Sequence, residues 1–462
     1  MTTALSLWAP LAYLDCGWAE DVLFRVDDGG MISTVEFGIP PGNLTRLPGV
    51  VIPGMPNLHS HAFQRAMAGL TERPGGTSTD DFWTWRKTMY GFVERLMPDQ
   101  VEAIAAQSYV EMLKAGYTSI AEFHYLHNPV GGGRYHDPAE LARRVAAGAA
   151  AAGIRLSLMP VLYQDGGFGG EALDDVQQRF RLEIDEWALI IAAMARTGVS
   201  ERSSAAALHS LRAVSPAALD EAVAAYGEIR ADGPIHIHIA EQEKEVSDCL
   251  AWSGQRPVEW LLDHAPVDRR WTLVHATHMT KSERLGVAGV GAVAGVCPTT
   301  EANLGDGIFE LPSWLAAGGA WGIGSDSNVS LDPCEEIRWL EYVQRLTLRR
   351  RLTSHPGIPT ESLGQGLWLG AVEGGARALG QPCGRLEAGR AADFLVLDPE
   401  HPTLAGHAPE TVLDAWVFSN AGSALTEVWV AGRPVIRDGR HAQEDAIAHR
   451  YRAALTTLME SL

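Results

Sequence analysis

Apolar and polar residues alternate along the chain in two different rhythms. Between Leu5 and Val51, short apolar runs (Val22 to Val26, Met31 to Phe37) are separated by Asp-Gly and Pro-Gly turn signals, which predicts strands of a small sheet. From Val51 the pattern changes to short apolar runs alternating with longer segments of helical spacing, as in βα units around a parallel sheet. Strands are predicted at Val50 to Pro53 leading into His59, Thr118 to Phe123, Ile154 to Leu162 and Ala205 to His209. Four more are predicted at Ile235 to Ile239, Trp271 to His275, Gly291 to Cys297 and Trp321 to Ser325. One intervening helix shows its own boundaries: Asp99 as N-cap, a stripe of Val101, Ile104, Ala105, Met112 and Leu113, and Gly116 as its stop. Such strands predict an α/β fold, a closed TIM-like (β/α)8 barrel.

After about residue 390 the strand-and-turn rhythm returns in ADFLVLDP, AWVFSN and TEVWVAGRPVIRDGR. Pairing of these runs with the N-terminal strands gives a small β-sandwich domain made from both chain ends. Residues 1–52 and 389–462, the latter ending in a helix, form this domain, and the barrel, residues 53–388, is inserted between them. No internal repeat or low-complexity linker interrupts the 462 residues.

Composition narrows the function. With 46% hydrophobic and 20% charged residues, the chain has the make-up of a soluble globular enzyme. A formal net charge of -20 repels phosphate backbones and anionic membrane surfaces, which argues against nucleic acid and membrane as partners. Small anionic substrates stay possible, because a few convergent arginines override the global sign inside a pocket. The five cysteines are scattered and contain no C-x-x-C pair, so neither disulfides nor a thiolate zinc site is expected. The opening MTTALSLWAPLAYLDCGW lacks a basic stretch before a long apolar core, and no run of about eighteen apolar residues occurs. The expected location is the cytoplasm.

Candidate chemistry gathers where predicted strands end. His59 and His61 follow the first strand, and two imidazoles two residues apart in extended chain lie on one side and can grip one ion. PIHIHIAEQEKE ends another strand with two histidines that share a face; spacing does not choose between them, but His238 is nearer the C-terminal rim where barrel sites form. His236 is then a core or supporting histidine. Glu241 lies three residues beyond His238, LVHATH puts His275 at a further strand end, and GIGSDSN puts Asp326 at the last one. A glycine precedes that acid and lets the backbone approach the site, where a buried carboxylate needs a partner or a metal. Acids and histidines at four strand ends point to one shared site at the barrel mouth.

PGMPNLHSHAFQ, HIHIAEQ, LVHATH, CPTTEANLGDG, GIGSDSN and GRLEAGRAADFLVLDP together resemble the ordered signatures of the amidohydrolase superfamily, in its deaminase and chlorohydrolase-like branch. Within that branch HSHAFQRAMAGL, DDFWTWRKTMY, EFHYLHN, ALHSLRAVSP and CPTTEANLGDGIF resemble the formimidoylglutamate deiminases of histidine degradation. Many relatives read CP-x-S-N where this chain has Cys297, Pro298, Thr299, Thr300 and Glu301, a departure that also favours the formimidoylglutamate enzymes.

The resemblance implies a hydrolase with one zinc per subunit, with iron or manganese as alternatives, held by His59, His61, His238 and Asp326. It makes Asp326, His275 and Glu241 catalytic, with Glu241 the proton shuttle and His275 also touching substrate. His209 and Arg212 are assigned to substrate carboxylate binding, since a guanidinium is the best-shaped partner for a carboxylate. Gln64, Tyr125 and Arg86 are further candidate substrate contacts, while the other aromatic residues around Arg86 are expected to be core. A homodimer acting on a small molecule is implied. Two other functions compete: deamination of a purine, pterin or other cyclic amidine, and a catalytically silent scaffold.

Overall fold

Eight parallel strands surround the barrel axis in a computed structural model that describes residues 5–73, 80–195 and 204–461. They are Met55–Ser60, Tyr117–His124, Arg155–Leu162, Ala206–Leu208, Ile235–Ile239, Trp271–His275, Val293–Val296 and Ala320–Ile323, hydrogen-bonded in sequence order. A parallel bridge between Ser60 and Asp326 joins the last strand's exit to the first strand and closes the ring. The strands are buried almost throughout, as expected when helices cover a parallel sheet.

The first predicted strand is corrected. Val50–Pro53 belongs to the terminal sheet, pairing with Leu11 and Ala12 on one side and antiparallel with Phe394–Leu397 on the other. The barrel begins only at Met55, and Gly54 makes the junction because a Cβ there would collide with the Thr118 side chain. The helix predicted to begin at Asp99 is Pro98–Ala115, and its N-cap is Met97, not Asp99. Proline suits the first helical position because its missing N–H has no acceptor to find there, which leaves Asp99 in the first turn. Gly116 ends the helix with φ 110°, a left-handed conformation.

Both chain ends share one sheet of nine strands among the described residues. Its order is Arg440–His441, Arg433–Arg437, Leu425–Val430, Phe394–Leu397, Val50–Pro53, Leu5–Leu14, Gly17–Val26 and Ile32–Glu36, with Thr45–Arg46 also alongside Leu5–Leu14. Phe24 stacks on Phe394 with ring centroids 6.2 Å apart. In a flat sheet three strand spacings would hold them about 14 Å apart, so the sheet curls over its own core like a sandwich. That core includes Leu7, Val22, Phe24, Phe394 and Trp429. AWVFSN, expected as a strand, lies mostly in the helix Pro409–Phe418; Pro409 starts it, and Val412, Leu413, Trp416 and Val417 bury one helical face. The buried pair Arg155–Asp393, Nε to Oδ2 2.7 Å and Nη2 to Oδ1 3.0 Å, ties the barrel to this sheet. Among the described residues no helix is long and apolar enough to cross a membrane.

Candidate active site

His59, His61, His238 and Asp326 converge at the C-terminal mouth of the barrel. His59 Nε2 lies 3.2 Å from His61 Nε2, 3.0 Å from His238 Nε2 and 3.5 Å from Asp326 Oδ1. His61 Nε2 is 3.2 Å from the same carboxylate oxygen. A zinc with ligands at about 2.0–2.1 Å in a tetrahedron separates its donors by about 3.3 Å, and these four separations match that spacing. Burial lowers the pKa of His59 to about 3 and holds His238 well below its ordinary value, keeping both rings neutral as metal binding requires. Burial works against ionisation of Asp326, yet His59, His61 and His275 hold its carboxyl well below the usual range. His61 Nδ1 donates to the carbonyl oxygen of Phe123 at 2.9 Å, which turns Nε2 toward the others. The donor set suits zinc, and equally iron or manganese.

The local backbone explains this convergence. Gly324 lies so close to the first strand that a Cβ would sit 2.8 Å from His59 Cβ. Asp326 then turns at φ 45°, and His275 at φ 65°, conformations costly for residues other than glycine. A polar lattice holds the turn: Asn57 Nδ2 donates to Ser325 Oγ at 2.7 Å, and Asn328 Nδ2 donates to the His61 carbonyl at 3.0 Å. Glu122 accepts from the Ala62 N–H at 2.6 Å and from the Tyr109 hydroxyl at 3.1 Å, fixing the chain just past His61. His236 points elsewhere: its Nε2 donates to the carbonyl of Ala378 at 2.8 Å.

Two titratable groups flank the cradle. His275 Nε2 lies 3.7 Å from Asp326 Oδ2 and 3.8 Å from Glu241 Oε1. Burial raises the pKa of Glu241 to about 7, partly offset by His275. Behind them are acids that sequence reasoning did not pick out as site residues. Glu301 faces His275 Nδ1 at 3.3 Å, and Glu245 accepts from the N–H groups of Ala240 and Glu241 at 3.1 and 2.9 Å. Asp306, which accepts a short hydrogen bond from Gln242, is pushed up to about 9 by burial and by Glu241. Their only sequence signal was the CPTTEANLGDG motif and the acid-rich EQEKE run.

The pocket beside the cradle is lined by His61, Gln64, Arg86, Tyr125, His209 and Arg212 together with His238, Glu241, His275 and Asp326. Every predicted site residue except His59, which lies beneath, borders this space. Gln64 Nε2 donates to the Tyr125 hydroxyl at 2.9 Å, while Gln64 Oε1 and Arg212 Nη1 are buried without hydrogen-bond partners. Burial and the charge of Arg212 hold His209 neutral, well below its ordinary pKa. Arg86 comes from the helix Phe82–Val93, capped by Asp81, and its Nε donates to the Tyr90 hydroxyl at 2.7 Å. Phe82, Trp85 and Tyr90 of this helix also line the pocket, so the expectation that its aromatic residues are core is corrected. They roof the site because the helix crosses the barrel mouth.

Relatives match this architecture. The chain is 48% identical to formimidoylglutamate deiminase of Pseudomonas aeruginosa over 98% of this chain and 100% of that protein. It is 31% identical to an 8-oxoguanine deaminase of the same species, over 89% of this chain and 88% of that one. An amidohydrolase from Brucella melitensis superposes with a TM-score of 0.90 at 44% identity, covering 98% of this chain and 100% of that one. The amidohydrolase profile matches residues 50–435. With the barrel, the cradle and these matches in agreement, the chain belongs to the amidohydrolase family.

Proposed function

We propose that this protein hydrolyses N-formimino-L-glutamate to N-formyl-L-glutamate and ammonia, a step of histidine degradation. The observation that carries this reading is a pair of arginines, Arg86 and Arg212, that line one pocket from different elements beside an intact hydrolytic centre. Two carboxylates of a glutamate moiety need two such partners, and guanidinium groups bind them in a defined orientation. The full-length likeness to a formimidoylglutamate deiminase supports the same substrate.

His59, His61, His238 and Asp326 would hold one zinc per subunit, with iron or manganese as substitutes. Bound there, the ion supplies positive charge that lowers the pKa of water to about 7. Asp326 takes the proton from the attacking water, and His275 steadies the charge that develops on its oxygen. Oxygen adds to the formimino carbon, giving a tetrahedral centre. Glu241, ionised in the resting complex, orients the cationic N–C–N group through charge-assisted hydrogen bonds; as the tetrahedral centre collapses it accepts the proton left on the added oxygen and delivers it to the terminal nitrogen. The C–N bond to that nitrogen breaks, ammonia leaves, and the carbonyl of the formyl product remains. Arg212 with His209, and Arg86 with Gln64 and Tyr125, hold the two carboxylates.

The enzyme works in the cytoplasm as a homodimer on a small molecule, with neither nucleic acid nor membrane as partner. Phe82, Trp85, Tyr90 and Tyr125 offer a stacking wall, which favours a cyclic amidine as the second reading. A silent scaffold is disfavoured by the complete set of Glu241, His275 and Asp326 around one centre. An ammonia-release assay separates these: N-formimino-L-glutamate is expected to exceed guanine, N-formimino-L-aspartate and N-formimino-glycine in kcat/KM. Equal rates across the set overturn the substrate assignment, and no turnover of any of them overturns the deiminase.

A further inference from the structure

His275 has its Nε2 in the reaction centre, and what fixes this ring lies behind it. Its Nδ1 faces Glu301 Oε1 at 3.3 Å. The same oxygen accepts from the Cys297 backbone N–H at 2.9 Å, so the carboxylate is itself held by the start of the short helix Pro298–Leu304. Glu301 is 4% exposed, and its burial leaves the imidazole N–H and this amide as the donors that justify a carboxylate there. His275 sits at φ 65°, a backbone conformation costly for a residue other than glycine, which the surrounding structure must hold. With Nδ1–H committed to Glu301, Nε2 is the nitrogen presented to Glu241 and Asp326 at 3.8 and 3.7 Å.

We propose that Glu301 is the positioning residue of the reaction, holding the Nδ1–H of His275 so that Nε2 faces the oxygen that attacks the substrate. A carboxylate binds the ring N–H through a charge-assisted bond, which is stronger than a neutral one and holds the ring more firmly. Substrate is not touched by Glu301, so its influence falls on kcat and leaves KM nearly alone. This inference rests on the deiminase reading of the site, and its test includes a measurement that needs no substrate.

The test compares zinc-loaded wild type, Glu301→Ala and Glu301→Gln. Kinetics with N-formimino-L-glutamate are run beside metal analysis, thermal melting and 15N–1H spectroscopy of the histidine rings, with His275 assigned through His275→Asn. Loss of an outer partner of this kind costs about 10–100-fold. Glu301→Ala is expected to lose kcat in that range, with KM within twofold, metal content unchanged and the His275 Nδ1–H signal gone. Glu301→Gln keeps an oxygen acceptor and is expected to recover part of the rate and the signal. The proposal is overturned if Glu301→Ala keeps kcat within threefold, loses rate only in step with metal, or retains the Nδ1–H signal. It is equally overturned if Glu301→Gln is no better than Glu301→Ala. An inactive wild type whose His275 signal still depends on Glu301 defeats the deiminase reading and leaves the positioning role standing.

Discussion

The backbone N–H of Asp326 donates to the carbonyl oxygen of His59 at 3.0 Å, and the N–H of His61 returns a bond to the carbonyl of Asp326 at 2.9 Å. The seam that closes the barrel is thus made by the residues whose side chains form the metal cradle. Closure of the ring and placement of these ligands thus share one seam, and an ion bound by the four side chains would also clasp the first strand to the last.

Removing the metal is therefore expected to weaken the whole barrel. An ion present at 100 to 1,000 times its dissociation constant stabilises by about 3–4 kcal/mol, so chelation should lower the melting temperature as well as abolish turnover, and zinc should restore both. Asp326→Asn should lower metal content and reduce activity by about a thousandfold or more. Gly324→Ala should do so indirectly, since its new methyl group meets His59 Cβ at 2.8 Å and pushes the first ligand away. An unchanged melting temperature after complete chelation, measured by calorimetry with metal analysis, counts against this coupling.

Arg212 is expected to act on substrate binding in proportion to the carboxylate it meets. Its Nη1 is buried without a partner, so the free protein already bears the cost that a carboxylate would relieve. Arg212→Ala should lower kcat/KM for N-formimino-L-glutamate by about 30–1,000-fold, corresponding to a buried charge pair of about 2–4 kcal/mol. Arg212→Lys should recover little, because an ammonium lacks the planar fork. Steady-state kinetics check this, and a loss below threefold for Arg212→Ala removes the residue from the binding role.

The ligand cradle was legible in the sequence because short continuous apolar runs lead into His59 and His61, His238 and Asp326, and a parallel barrel brings strand ends together whatever lies between them. Val50–Pro53 was misplaced for a physical reason. Its apolar run continues almost unbroken into Met55–Ser60, and only tertiary crowding at Gly54, against Thr118, assigns the two halves to different sheets. Glu301 and Asp306 escaped because acids on a helix and its exit ordinarily read as solvated, and their burial is set by packing against the end of another strand. The roof of the pocket escaped for a related reason: Phe82, Trp85 and Tyr90 have helical spacing that fits a core face equally well, and only the path of the helix over the barrel mouth turns them to the pocket.

Glu241 is expected to affect the chemical step far more than binding. Its carboxylate lines the pocket and stands 3.8 Å from His275 Nε2. Glu241→Gln keeps the size and one acceptor but cannot carry a proton, so kcat should fall by about 100- to 10,000-fold with KM changed only a few-fold. Metal content should be unaffected, since Glu241 is outside the cradle. Pre-steady-state measurement of ammonia release distinguishes this from slow product departure; a variant retaining a tenth or more of wild-type kcat would show that another group moves the proton.

A pH effect on stability follows from His127, which lies outside the cradle. Burial lowers its pKa to about 3, and its Nε2 donates to the carbonyl of Val161 at 3.0 Å, which only partly offsets the desolvation. The folded state therefore keeps this ring neutral where the unfolded chain, titrating near 6.5, takes up a proton. The unfolded state binds more protons below that value, so stability contributed by His127 is full above about pH 6.5 and declines as the pH falls toward 3. Between pH 7 and pH 5 the decline from this one group is about 2 kcal/mol. His127→Gln places an uncharged donor near Val161 and should remove most of that slope while costing some stability at pH 7. Denaturant unfolding of both proteins at pH 7, 6 and 5 measures it; parallel losses in the two proteins would assign the acid sensitivity to other buried histidines, such as His236.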